Sequence, residues 1–267
     1  MEPDYDVVVV GAGAAGIGAA LGAARNGART LLVESESAPG GDLVTGLPIL
    51  GACSARGDWV VGGVLRDLLA RVAALDGCIG PVCDWRAVRG VCVDPEAMRL
   101  ALAAALREHG VRLLLSAIAD RVDIAGGVVS GVRVVTRSAR RDVRARCVVD
   151  ATGDASLCRL AGAPVHAGDG GGRFQPLSLV FRVAGVDFEA LLAFAEENPG
   201  EFLLAESPVM PSDPGECARR LRSAGYPYLA LSATGSLLGS RIREGSLFPC
   251  TAFFMTPTSA AKRELCV

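Results

Sequence analysis

Lysine is nearly missing from this 267-residue sequence: of 27 basic side chains, only Lys262 is not arginine. A GC-rich gene produces that bias, so it says nothing about arginine chemistry. Histidine occurs twice, as His109 and His166, and none of the nine cysteines stands in a C-x-x-C pair. Zinc-ligand spacing is therefore absent, and no metal site is expected. Neither sign of charge dominates, because the net charge is −2, and that excludes a chain organised around a nucleic-acid surface. A basic n-region is also missing, since Met1–Asp6 is acidic. With an odd cysteine count, reduced thiols and a cytoplasmic location are the expectation. Aromatic residues make up only 5%. The core must then be built from Ala, Val and Leu.

What is abundant is glycine, 33 residues, within a chain that is 51% hydrophobic. That suffices for a real core with many tight turns, as in α/β proteins. One uncharged run, Val7–Ala24, has 18 residues and meets the length of a membrane span. Its glycines instead fall at functional spacing behind a four-valine strand, so no membrane segment is expected.

Asp6–Val10 reads as a buried parallel strand, Ala14–Asn26 as a helix stopped by Gly27, and Thr30–Val33 as a second strand closed by Glu34. Residues 35–62 read as an ordered loop. Helices are predicted over 63–75 and, behind the Asp94-Pro95-Glu96 cap, up to His109. A third strand follows at 111–115. Three antiparallel strands then follow, at 119–124, 128–136 and 142–149, turned at Gly126-Gly127 and at residues 138–140. The glycine run 168–172 is read as a domain boundary. Beyond it a strand is expected at 177–183, helices at 187–197 and 213–224, and strand fragments from Leu247 onward.

Gly11-Ala-Gly13-Ala-Ala-Gly16 is a G-x-G-x-x-G sequence set between strand and helix. Gly11 permits the turn, Gly13 lets backbone approach a pyrophosphate, and Gly16 lets the helix pack closely on the strand. Glu34 lies 18 residues past Gly16, where a carboxylate accepts ribose hydroxyls and repels a 2′-phosphate. Both NAD and FAD carry ADP, so these residues leave both open. An NAD domain usually continues with a second parallel half. This chain turns to a meander and then to Cys147-Val-Val-Asp-Ala-Thr-Gly-Asp154.

That order resembles the FAD-dependent oxidoreductases with a glutathione-reductase-like FAD domain. Gly40-Gly41, Pro48–Cys53, Ala151–Ala155, Ala161–Pro164 and Gln175–Arg182 add to the resemblance. It implies an α/β fold: a Rossmann-like FAD-binding domain with a β-meander over 1–166, carrying a helical loop insertion at 42–93. Residues 167–267 would form part of an inserted α+β substrate domain. Family members are longer and return to the FAD domain afterwards, so the resemblance is to their N-terminal part.

Residue by residue, the resemblance implies pyrophosphate at Gly11, Gly13, Ala14, Ala15 and Gly16, and ribose at Glu34 with Ser35. Gly40, Gly41 and Asp42 would lie beside the ribityl chain and flavin, and Ile118 beside the adenine. Ala151, Thr152, Gly153 and Asp154 would close over the ADP half. The implied activity is hydride transfer to or from a small organic substrate through FAD. An NAD-dependent dehydrogenase and a non-catalytic nucleotide-binding remnant are the alternatives. Catalytic residues stay open, with Cys53, His166, Ser178 and Arg182 as candidates. Oligomeric state is not legible.

Overall fold

The computed structural model describes residues 2–54, 56–83, 89–171, 173, 174, 190, 193 and 197, and strands 229–233 and 251–255. The expected strand at 177–183, with Ser178 and Arg182, and the expected helix at 213–224 lie outside the described residues. Residues 190, 193 and 197 are helical. The chain divides into two compact units. The first comprises residues 1–45, 62–78 and 93–170, the second residues 46–61, 79–92 and 171–267. The expected insertion at 42–93 is thus split between them, and its helix belongs to the first unit.

The first unit starts with β1 (Tyr5–Val10), α1 (Ala14–Arg25) and β2 (Thr30–Val33). After 3₁₀ turn Gly41–Val44 come β3 (Ile49–Leu50), α2 (Gly63–Ala73), β4 (Cys78–Cys83), β5 (Arg89–Val93), α3 (Pro95–Glu108) and β6 (Arg112–Leu114). The meander is β7 (Ile118–Ala125), β8 (Val128–Val135) and β9 (Arg140–Asp150), closed by the short α4 (Ser156–Leu160). All six strands join one sheet in the order β6-β2-β1-β9-β8-β7. Strand β9 links its halves. Its first part pairs antiparallel with β8 (Val143↔Val132), and its last part pairs parallel with β1 (Val8↔Val148).

Periodicity explains the packing. Val8, Val10, Leu31 and Val33 share a buried cluster with Val132, Val134, Val143, Ala145 and Leu157 of the meander and α4. The alternate residues Val9 and Leu32 are also fully buried, and strand geometry turns them to the opposite face. Helix α1 packs on β1 and β2 with Gly16, Ile17, Ala20 and Leu21 inward. Helix α3 buries Met98, Ala101, Leu102, Ala105 and Leu106 at helical spacing. Its cap is as expected: the Asp94 carboxylate accepts from the Glu96 and Ala97 amides at 2.8 and 3.1 Å. At the β7–β8 hairpin both turn glycines have positive φ, +58° and +81°, as a two-residue turn of that hand requires.

The second unit departs from the reading of 35–62 and 42–93 as loop and helix. It holds a three-stranded sheet, β3-β5-β4, made of Ile49–Leu50, Arg89–Val93 and Cys78–Cys83. Strand β4 contains Gly80-Pro81 and lies at the edge of the sheet, where proline is tolerated. Two further strands, β10 (Leu229–Ala233) and β11 (Thr251–Met255), pair antiparallel. Among the described residues no helix is long and apolar enough to cross a membrane.

Among the described glycines the least room is at Gly16, where an added Cβ would overlap the Gly11 carbonyl oxygen. Gly22, on the same helix, has nothing within 4 Å of such a Cβ. Gly16→Ala should therefore lose about 1–3 kcal/mol or more by overpacking. Gly22→Ala should gain about 0.5–1 kcal/mol from helix propensity. Urea unfolding of the two variants checks the opposite signs.

Candidate functional site

The site forms where the parallel strands end. Gly11 turns the chain at φ +95°, and its amide donates to the Val33 carbonyl at 2.8 Å. Ala151 N–H donates to the Val10 carbonyl at 2.9 Å, tying the end of β9 to the same point. Helix α1 then begins with Gly13 as N-cap and no side chain capping its amides. The first-turn N–H groups of a helix have no intrahelical acceptor, and they lie at the positive end of its dipole. An anion fits there.

Two loops close on this turn. Gly40 N–H donates to the Ala12 carbonyl at 2.8 Å. Gly40 and Gly41 both have positive φ, and Gly41 approaches the Gly13 Cα so closely that an added Cβ would stand 3.0 Å from it. On the other side, Asp150 shapes the Ala151–Asp154 loop. Its carboxylate accepts from Thr152 N–H (3.0 Å), Thr152 Oγ1 (2.6 Å) and Cys158 N–H (2.8 Å). Thr152 Oγ1 in turn accepts from Ser156 N–H at 2.9 Å. Burial would push the Asp150 carboxyl up, but these bonds outweigh it and hold it below the ordinary carboxylate range. The hydrogen bond to Asp150, with burial, raises the Cys158 thiol.

Glu34 stands at the end of β2. Its carboxylate accepts from Ala12 N–H through Oε2, and from Ser35 Oγ and Glu36 N–H, each at 2.9 Å, through Oε1. Burial opposes ionisation here too, and the backbone bonds from Glu36 and Ala12, with Ser35, keep the group acidic. Glu34 is therefore charged at neutral pH.

These elements surround one cavity of about 600 Å³. Gly11, Gly13, Ala14 and Ala15 line it from the turn, Glu34 and Ser35 from β2, and Gly41 and Asp42 from the 3₁₀ turn. Ile118 and residues 151–154 complete the predicted set. Gly16 and Gly40 are not in its wall: the first packs behind the turn, the second hangs the 40–41 loop on Ala12. Sequence reasoning missed the lining residues Val10, Val33, Ala117, Ala119, Ser156 and Leu157. It also missed Asp150, whose signal was present: an aspartate closing an apolar strand directly before Ala-Thr-Gly.

The catalytic candidates fare differently. Cys53 is buried in the second unit, in a bridge with Trp59. His166 is exposed and does not line the cavity. Among the described residues no cluster of His, Cys, Asp and Glu could hold a metal ion.

Residues 6–229 match the profile of the family described as FAD dependent oxidoreductase. This chain belongs to that family, and its cofactor is FAD. The topology agrees, because a meander returns through β9 to β1 where an NAD domain usually has its second parallel half. The chain is similar to the tRNA uridine 5-carboxymethylaminomethyl modification enzyme of Endomicrobium trichonymphae, with 29% identity over 68% of this chain and 30% of that protein. It is also similar to digeranylgeranylglycerophospholipid reductase 2 of Methanothermobacter thermautotrophicus, with 30% identity over 69% of this chain and 48% of that protein. The matches thus span less than half the length of these curated relatives. Among solved structures, a geranylgeranyl bacteriochlorophyll reductase-like protein from Thermoplasma acidophilum superposes with a TM-score of 0.42 at 24% identity, covering 59% of this chain and 42% of that one.

Removing the Asp150 carboxylate should orphan three half-buried donors at once. Asp150→Ala is expected to cost about 1–3 kcal/mol at neutral pH. Because the native group is more acidic than in the unfolded chain, its contribution is full above the ordinary carboxylate range and fades as pH falls below it. Thermal melts of both proteins from pH 7 downward should show a gap that stays constant to about pH 4 and then closes.

Proposed function

We propose that the cavity holds the ADP half of FAD, and that the chain serves an oxidoreductase transferring hydride to or from a small organic substrate. One observation carries the site assignment. The fold itself demands Gly11 and Gly16, one for its φ of +95° and both because a Cβ would overlap backbone atoms. Gly13 has no such need: its φ is an ordinary −73°, and an added Cβ would meet nothing within 4 Å. A bare glycine there keeps the wall flat beside the uncapped amides of α1, which is what a diphosphate pressed on backbone requires.

Glu34 suits the ribose next to that diphosphate. A carboxylate has about four acceptor positions, and three protein donors occupy Glu34. A position remains for a hydroxyl, and the charge opposes a 2′-phosphate. Ala151–Asp154, held by Asp150, form the opposite wall. When bound, the flavin supplies the hydride chemistry, and the protein's part is to place and orient it. A cytoplasmic setting fits the cysteines: Cys53, Cys78, Cys92, Cys147 and Cys158 are all free.

The purified chain should show flavin absorbance after incubation with FAD. Gly13→Asp separates site from fold. Aspartate is as good an N-cap as glycine or better by a few tenths of a kcal/mol, so the melting temperature should hold or rise. Its carboxylate would fill the anion position, so calorimetry should register loss of FAD binding. Unchanged FAD affinity in that variant would contradict the assignment. Glu34→Ala should weaken binding by about 1–3 kcal/mol, the scale for a hydrogen bond to a charged group.

A further inference from the structure

A second cavity adjoins the first and has no role in the account above. It measures about 660 Å³ and is lined by Ser35, Ser116, Ile118, Val135, Thr136 and Arg137. It shares Ser35 and Ile118 with the cavity at the glycine turn. In a nucleoside diphosphate the base lies on the far side of the ribose from the phosphates. With phosphates at α1 and ribose at Glu34, the base points past Glu34 toward Ser35 and Ile118, into this second space.

Two side chains here are uncommitted. Arg137, in the β8–β9 hairpin, is exposed, and no hydrogen bond or ion pair engages it among the described residues. Two other arginines of the meander are paired: Arg133 with Asp120 at 2.7 Å, and Arg121 with Asp123 and Asp142 at 2.8 and 3.0 Å. Ser116 adopts φ +50°, unusual for a residue with a side chain. Its N–H, bonded to the Glu36 carbonyl at 2.9 Å, fixes it there. Pairing of Ile118 with Val135 carries the end of β8, and so the hairpin, to this edge of the site.

Resting on the FAD reading, we propose that Arg137 is a cofactor-binding residue that determines preference for a purine base. Its planar guanidinium covers the open side of the adenine against the wall at Ile118. A purine does not fill so large a space, so without Arg137 one face of the base stays in water. A guanidinium on an aromatic face gains from both stacking and charge. Lysine, a hydrated point charge, supplies only part of that.

The test measures ADP, UDP and FAD binding by calorimetry, or by competition, for the wild type, Arg137→Ala and Arg137→Lys. The alanine variant should bind ADP and FAD about 3- to 30-fold more weakly, the range for a cation on an aromatic ring. UDP, with the same charge and a smaller base, should lose less, so the ADP-to-UDP preference falls. The lysine variant should lie between. The melting temperature of the free protein should not move, since Arg137 holds nothing in place. Wild-type ADP affinity in Arg137→Ala overturns the assignment and leaves the FAD reading standing. Equal losses for ADP and UDP, or full affinity with lysine, also overturn it, because they reduce Arg137 to charge at a distance. A wild-type chain that binds neither ADP nor FAD overturns both readings.

Discussion

The approach of Gly16 to Gly11 and Ala151 is the contact on which the rest of the site depends. It sets backbone on backbone between Gly16 and Gly11 and between Gly11 and Ala151, with the Ala151 Cβ alongside Gly16, so it tolerates nothing larger than glycine at either turn position. Because it closes, the uncapped end of α1 reaches the ends of β1 and β9 together. The amides of α1, the Glu34 carboxylate and the 151–154 loop then face a common space. Widen that contact by one methyl group and the three walls separate.

Charge in the site follows from the same geometry. Glu34 follows a fully buried apolar strand and Asp150 ends a half-buried one, and at both positions burial works against ionisation. Each instead accepts three hydrogen bonds that hold it ionised. Glu34 binds the Ala12 amide from across the turn. Asp150 gathers Thr152 and Cys158 into a compact loop. Both stay ionised at neutral pH, one facing the space where a ribose fits, the other behind the wall. Negative charge at Glu34 and positive helix end at α1 give the cavity a polarity that runs along a dinucleotide.

Much of this was legible in the residues. The Val7–Val10 and Thr30–Val33 runs, with glycines spaced between them, could form little except β-α-β. Gly126-Gly127 marked the meander turn, and Asp94-Pro95 marked the start of α3. What was hidden depended on tertiary context. Gly80-Pro81 concealed β4 because sequence alone cannot say that a strand lies at an edge. Leu229–Ala233 concealed β10 because an alanine-rich segment carries little strand preference. Asp150 was unassigned because its partners, Thr152 and Cys158, become meaningful only once the loop is seen to fold back on it. Gly13 was read from its place in the motif, and only the folded structure shows that the fold itself does not need it.

The most direct test of the central claim is where ADP perturbs the backbone. Amide chemical shifts of the isotope-labelled chain, followed through an ADP titration, should move most at Gly11, Gly13, Ala14, Ala15 and Gly16, with Ser35, Gly41 and Gly153 next. Amides of α2 and α3 should stay in place. Shifts confined to other residues, or none at the glycine turn under saturating ADP, would contradict the account.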